Sequence, residues 1–194
     1  MAEQNKRRNN LIRLAECSVM LALAVVLSMV KVWEMPMGGS ITLLSMLPVC
    51  LIAVKYGIRD ALPTAFLYSM IQLFMGIASG NVFVYCTTAM TTIICALFDY
   101  VVPYTVLGFS GVLKKRLGDA GILIGIALMI VIRFCCHYIT GVVIWGQWAE
   151  GMSPYLYSLL YNGQYMLPEC IFTVIGAGVL IKVPELRKML EVRN

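Results

Sequence analysis

Apolar residues run through this chain in blocks too long and too continuous for a soluble protein, and the breaks between them are short. A helix rises about 1.5 Å per residue, so about 20 mostly apolar residues cross the roughly 30 Å of hydrocarbon in a bilayer. Six blocks qualify: Leu14 to Val32, Ile41 to Tyr56, Ala61 to Ala78, Val84 to Leu113, Ala120 to Trp145 and Tyr157 to Ile181. Only Gly57, Ile58, Arg59 and Asp60 join the second block to the third. Pro48, Pro63, Pro103 and Pro168 fall inside the blocks, where a bilayer tolerates proline if neighbouring helices re-satisfy the freed carbonyls. The pattern predicts an all-α integral membrane protein with six transmembrane helices, and no interval is left over for a soluble domain, so residues 1–194 form one membrane domain.

Composition agrees with the pattern. The chain is 60% hydrophobic and 13% charged with a mean hydropathy of +0.84, whereas a soluble domain is typically about 25% charged. The placement of the charges adds an orientation, because Lys and Arg in short loops stay cytoplasmic. Lys6, Arg7, Arg8 and Arg13 precede the first span, and Lys55 and Arg59 flank the turn after the second. Lys114, Lys115 and Arg116 follow the fourth span, and Lys182, Arg187, Lys188 and Arg193 follow the sixth. In a six-span layout these thirteen of the fifteen cations share one side, which predicts both termini cytoplasmic. Trp33 to Ser40, Ser79 to Val82 and Gly146 to Pro154 then lie outside. The net charge of +5 reflects insertion and lipid headgroups; no basic surface with interleaved aromatics of the kind that binds nucleic acid is present. The basic start imitates a signal peptide, but its apolar run is of spanning length and lacks a small-residue cleavage site.

The seven cysteines, at 17, 50, 86, 95, 135, 136 and 170, include no CxxC pair and no His/Cys spacing suited to zinc. They read as small, soft packing residues, with neither disulfide nor metal site implied. Ionisable groups inside the spans are more informative, since a charge at the bilayer centre costs at least about 2.5–3.5 kcal/mol and marks a pathway, a pocket or a buried pair. They are Asp99 in span four, Arg133 and His137 in span five, and Glu169 in span six, with Glu16 nearer the cytoplasmic end of span one. Either Asp99 or Glu169 is available to neutralise Arg133.

In span five, Arg133, His137, Gly141 and Trp145 recur at every fourth residue and so form a stripe down one helix face. Gly141 leaves a notch between two rings, a slot suited to a flat molecule. Taken singly, His137 is as well explained as a satisfied core residue and Trp145 as an interfacial anchor. The stretch from Ser153 to Tyr165, with four tyrosines, Asn162 and Gln164, supplies a polar rim, and Trp33 on the outer segment after span one is placed to close over it. Aromatic faces attract cations by about 0.5–2 kcal/mol each, and a carboxylate supplies counter-charge. Asp99 with these rings therefore suits an aromatic cation.

Four motifs resemble one family. They are Leu14-Ala-Glu16-Cys-Ser-Val-Met-Leu-Ala22-Leu-Ala24, Phe98-Asp99-Tyr100 with Leu107-Gly108-Phe-Ser-Gly111, the Arg133–His137–Gly141–Trp145 stripe, and Tyr157-Ser-Leu-Leu-Tyr-Asn162-Gly163. In order, spacing and six-span layout they are similar to the thiamine-specific substrate-binding (S) components, the ThiT family, of energy-coupling factor (ECF) vitamin transporters. The resemblance implies that Asp99 and Tyr100 contact the vitamin, that His137 and Trp145 line and stack on it, that Tyr157 and Asn162 add polar contacts, and that Trp33 helps cover the site. It implies further that Ser18 and Ala22, a small-xxx-small pair, dock on the transmembrane coupling subunit (EcfT), which works with two ATPase subunits. Two departures stand out. Thr87 to Thr92 lack the Pro and Gln of the family pattern, and Trp148 competes with Trp145.

The function expected on that basis is capture and delivery of thiamine across the cell membrane without bond chemistry. The chain has no GxxxxGK[ST] phosphate cradle with which to hydrolyse ATP and no evident inverted repeat of a self-sufficient carrier. Rival readings are an S component for another vitamin or a thiamine precursor, a scaffold, and an intramembrane enzyme using Cys135, Cys136 or His137. Against the last, no Ser, Asp or Glu stands at a helical spacing from His137 to orient it as a base.

Overall fold

The computed structural model describes residues 1–36, 38–80 and 82–190. Helix α1 (Ala2–Met29) leads into a β-hairpin of β1 (Lys31–Glu34) and β2 (Ser40–Thr42). Then come α2 (Leu47–Tyr56), α3 (Ile58–Ala78), α4 (Ala89–Phe109), α5 (Lys114–Val143), a 3₁₀ turn (Trp145–Trp148), α6 (Pro154–Lys182) and a short α7 (Pro184–Met189). Five of these, α1 and α3 to α6, are long and apolar enough to cross a membrane. The second expected span is shorter than its apolar block: only its last ten residues are helical, while Ile41 and Thr42 belong to β2. An all-α description is therefore corrected by the hairpin, whose Trp33–Ile41 and Glu34–Ser40 pairs use backbone groups that a helix would have satisfied internally.

Polar and apolar residues are distributed as lipid requires. Leu14, Val19, Phe74 and Ile175 point outward, whereas Arg133, Thr140, Ser158, Asn162 and Glu169 are buried. The apolar core gathers Met46, Val49 and Cys50 of α2 and the turn before it, Tyr68 of α3, Leu107 of α4, Ile126 and Ile130 of α5, and Tyr165 and Ala177 of α6. Each of the seven cysteines is a free thiol; Cys17, Cys50, Cys95 and Cys136 are buried packing residues, whereas Cys135 is exposed.

Ion pairs tie the basic end together. Glu16 of α1 accepts from Lys55 and from the Tyr56 hydroxyl, 2.6 Å away, and Arg13 meets Asp60 at 3.3 Å. Lys114 donates to the Val54 carbonyl at 2.9 Å, and Arg187 of α7 forks onto Asp119 of α5 at 3.0 and 3.3 Å. Of the cations expected on one side of the membrane, Arg13, Lys55, Lys114 and Arg187 thus make their contacts at one end of the bundle, with the hairpin and the 3₁₀ turn at the other; Arg193 lies outside the described residues.

Helix α4 is not uniform, and proline explains why. Ala89–Cys95 is α-helical, Ala96–Val101 is a π turn, Val102–Thr105 is α-helical again and Val106–Phe109 is 3₁₀. An unbroken α-helix needs an N–H at position 103 for the Asp99 carbonyl, and Pro103 has none, so the ladder widens to i→i+5. The Val102 N–H accordingly reaches Leu97. At the start of α4 the threonines that depart from the family pattern act locally, since Thr88 and Thr91 form a reciprocal capping box.

The Gly108–Gly111 motif has a packing reason. A Cβ on Gly108 would stand 2.9 Å from Leu62 Cα, and one on Gly111 would collide with the Ala53 carbonyl, so backbones of three helices meet here with nothing between them. Replacing Gly111 by Val should overpack this junction by about 1–3 kcal/mol and lower the thermal midpoint in detergent by roughly 5 °C. An unchanged midpoint would show that the contact carries no strain.

Candidate functional site

A cavity of about 290 Å³ opens among α3, α4, α5, α6 and the hairpin, at the small-molecule end of the usual range for ligand pockets. Its floor is a polar chain. Arg133, on α5 and 6% exposed, donates from Nη1 to Glu169 Oε2 at 3.4 Å and to Met46 Sδ at 2.6 Å, and from Nη2 to the Tyr104 hydroxyl at 3.1 Å. Its guanidinium carbon also lies 4.3 Å from the centre of the Tyr104 ring, a cation–π contact. Glu169 Oε1 accepts from the backbone N–H of Thr42, 2.6 Å away, and from the Thr42 hydroxyl, which itself lies 2.6 Å from the Ser45 hydroxyl. Arg133 is therefore paired with Glu169, and the alternative partner Asp99 is employed elsewhere.

The employment of Asp99 can be read from donors and acceptors. Arg133 Nε, which can only donate, points at His137 Nε2 at 3.4 Å, so that nitrogen carries the lone pair. The ring proton then sits on Nδ1 and is donated to Asp99 Oδ1 at 3.0 Å. Thr140 also donates to Oδ1, and the Cys95 thiol lies 3.4 Å from Oδ2. Asp99 can do this because it sits in the π turn, whose phase shift sets the acid and Tyr104 on the same cavity wall. An acid does orient His137, from another helix rather than at a helical spacing. The objection to an enzyme reading drawn from that spacing fails on this geometry.

Aromatic rings form the remaining walls. Tyr100 and Tyr104 of α4, Trp145 of the 3₁₀ turn, and Tyr157, Tyr161 and Tyr165 of α6 all line the cavity. Tyr157 and Tyr161 stack with centroids 5.6 Å apart, and Tyr165 meets His137 edge-on at 6.2 Å. Tyr100 fits because its hydroxyl lies where a side chain at Gly76 would be, 2.7 Å from an added Cβ. Tyr85, outside the lining, packs edge-on against both Trp145 and Trp148, at 4.7 and 5.0 Å, so the two tryptophans share one support while Trp145 is the one facing the cavity.

The site residues expected from the sequence divide unequally. Asp99, Tyr100, His137, Trp145, Tyr157 and Asn162 converge on the cavity. Trp33 does not: it stands 63% exposed on β1, and its hairpin neighbours Lys31 and Glu34, an ion pair, line the cavity mouth instead. The notch at Gly141 is filled from α6, because an added Cβ would collide with Ser158 Oγ and lie 2.9 Å from Asn162 Nδ2. Nor does one helix carry the whole stripe, since α5 ends at Val143 and Trp145 belongs to the next turn. Asn162 braces the helix pair, donating to the His137 and Ser158 carbonyls at 3.2 and 3.0 Å and accepting from Tyr165 at 2.7 Å. Ser18 and Ala22 are exposed on the outer face of α1, and Ser18 donates to the Leu14 carbonyl at 2.9 Å, which satisfies its hydroxyl within the helix.

Residues missed by sequence reasoning are Tyr104, Gln72, Lys31 and Glu34, all in the lining. Gln72 had a visible signal, an amide in the middle of an apolar span; it donates to Ser28 of α1 at 2.8 Å. Tyr104 had none, because its phase relative to Asp99 depends on the π turn.

A family model described as Thiamine transporter protein (Thia_YuaJ) matches residues 14–188. Among curated proteins, the thiamine transporter ThiT of Bacillus subtilis (strain 168) is 32% identical, over 92% of this chain and 95% of that protein. The thiamine transporter ThiT of Lacticaseibacillus paracasei is 24% identical over 71% of each. Among solved structures, ThiT from Listeria monocytogenes superposes with a TM-score of 0.74 at 25% identity, covering 94% of this chain and 98% of that one.

Since His137 is the one histidine of the chain, ¹⁵N-histidine labelling reads its tautomer directly. The detergent-solubilised protein should show a protonated Nδ1 and a bare Nε2, and Arg133→Met should broaden or reverse that assignment. A protonated Nε2 in the wild type would break the inferred chain of donors.

Proposed function

On the premise that the chain belongs to the thiamine transporter family (Thia_YuaJ), we propose that it is the high-affinity thiamine-binding S component of an ECF-type ABC vitamin uptake transporter. It is a multi-pass membrane protein of a transport family and no enzyme, so the Asp99–His137 pair serves binding. In this reading residues 1–194 are one domain of six membrane segments in the cell membrane, with α2 and the hairpin together serving as the second segment and both termini cytoplasmic. The coupling subunit EcfT and two ATPase subunits supply the energy, and Ser18 and Ala22 on the exposed face of α1 allow the close helix approach that docking requires.

The observation that carries the ligand is the charge of the cavity. Its acidic and basic lining comprises Lys31, Glu34, Asp99, Arg133, His137 and Glu169. Lys31 is paired with Glu34 and Arg133 with Glu169, and His137 is neutral as the Nδ1–H tautomer, so the carboxylate of Asp99 remains as one uncompensated charge. Thiamine is a monocation of two flat rings joined by a methylene group. Its thiazolium gains from the π faces of Trp145, Tyr100 and Tyr157 and from Asp99 as counter-ion, and its aminopyrimidine offers donors and acceptors to the polar floor. A cavity rather than a through-channel suits a protein that captures outside and hands over only when partner subunits reorient it. Trp33 acts at most as a rim residue, since the hairpin lines the cavity with Lys31, Glu34, Ser40 and Thr42 and not with Trp33.

Titration of the purified protein with thiamine should quench tryptophan emission saturably. Asp99→Asn and Trp145→Ala should each weaken binding by about tenfold or more. Ala22→Trp should leave binding intact and abolish uptake in cells that carry the partner subunits. A variant lacking both His137 and Trp145 side chains that still quenches like the wild type would sink the assignment.

A further inference from the structure

Glu169 is buried to 3% exposure on α6 and is not placed to be the counter-ion of a ligand, because both of its oxygens are already committed, one to Thr42 and the other to Arg133. What it does to the cavity is nevertheless decisive. A buried guanidinium attracts whichever carboxylate is within reach, and Arg133 already touches His137, whose far nitrogen holds Asp99. Among the described residues Asp99 is thus the only other acid joined to that chain of contacts, and without Glu169 it becomes the counter-charge of Arg133 through the imidazole, leaving the cavity neutral. Glu169 is itself pinned by an N–H that belongs to the hairpin backbone and by the Thr42 hydroxyl, so it cannot follow Arg133 toward the ligand.

We propose that Glu169 is the positioning residue that sets the charge selectivity of the site: by holding and neutralising Arg133 it keeps Asp99 free for a cation, so that the cavity prefers a monocationic ligand over its uncharged isostere. This rests on the reading of the cavity as the thiamine site, and it assigns preference to a residue whose two carboxylate oxygens are both held by protein groups. Charges at this depth are weakly screened, so a unit charge removed several ångströms away is felt across the cavity. The seating of the hairpin and the charge of the pocket become one property, because the same carboxylate anchors Thr42 and balances Arg133.

Calorimetric titration of the detergent-purified protein compares thiamine with the uncharged analogue in which a thiophene replaces the thiazolium. Wild type should bind thiamine more tightly than the analogue. Glu169→Gln, which keeps size and hydrogen-bonding capacity, should narrow that preference about tenfold through weaker thiamine binding, with the analogue within about twofold of wild type. Arg133→Met combined with Glu169→Gln removes both charges and should restore the preference, since Asp99 is again uncompensated. If Glu169→Gln alone does not fold, the comparison of Arg133→Met with the double variant isolates the same charge: the preference should be larger in the single variant. Parallel losses for both ligands, or a preference that ignores the charge at position 169, would overturn the assignment of Glu169 while leaving the site reading intact. No thiamine binding in the wild type would overturn both.

Discussion

A guanidinium sealed among apolar helices cannot stand alone, and much of this molecule is arranged around that fact. Burying an unpaired ion costs several kcal/mol, and removing one partner of a buried pair is typically more damaging than never having had the pair. Arg133 is met on each side: by Glu169 from α6, by the hydroxyl and ring of Tyr104 from α4, by the sulfur of Met46 ahead of α2, and by His137 one turn along its own helix. Each contact fixes a neighbour, and each neighbour fixes another. Glu169 draws in the hairpin through Thr42, and His137 donates its Nδ1–H to Asp99. The cavity is the space these obligations leave open, with its polarity decided before any ligand arrives.

Lipid as solvent inverts the usual division between core and surface. Leu and Val on α1 face outward at no cost, while Thr140, Ser158, Asn162 and Thr173 of α5 and α6 are buried. Their hydrogen bonds, such as Ser158 to the Tyr138 carbonyl at 2.8 Å and Asn162 to the His137 carbonyl, hold the two helices in register without any hydrophobic gain from burying apolar area. Gly141 lets the helices approach closely enough for those bonds to form. The same contact that looked from the sequence like a slot for a ligand is therefore the seam of the wall beside it.

Much of this was legible beforehand because membrane physics writes itself in long, simple patterns. The apolar blocks located five long helices, and the cations marked the end at which Arg13, Lys55, Lys114 and Arg187 now make their pairs. Asp99, His137, Trp145, Tyr157 and Asn162 were visible as exceptions to apolarity with aromatic neighbours, Tyr100 came only from the family resemblance, and all six meet at one cavity. What stayed hidden depended on features with no period. The apolar residues Ile41 to Met46 gave no sign that the chain would leave the helix for a hairpin. That hairpin left Trp33 exposed and set Lys31 and Glu34 at the cavity mouth. The choice of Glu169 over Asp99 as the partner of Arg133 depended on helix rotations that spacing within one helix cannot supply.

The π turn at Ala96–Val101 has one more implication, for the tolerance of α4 to length change. A π turn is an α-helix holding one surplus residue in a single turn, so deleting one residue there lets the ladder close to i→i+4 while the segments on either side keep close to their mutual orientation. What changes is which residues of the turn itself, Asp99 and Tyr100 among them, stand on the cavity wall. In a regular α-helix a lost residue instead turns everything beyond it by about 100°. The π turn is thus the place where α4 takes up a change in length with least disturbance to its two ends, and the acid and ring of the site are what such a change would displace.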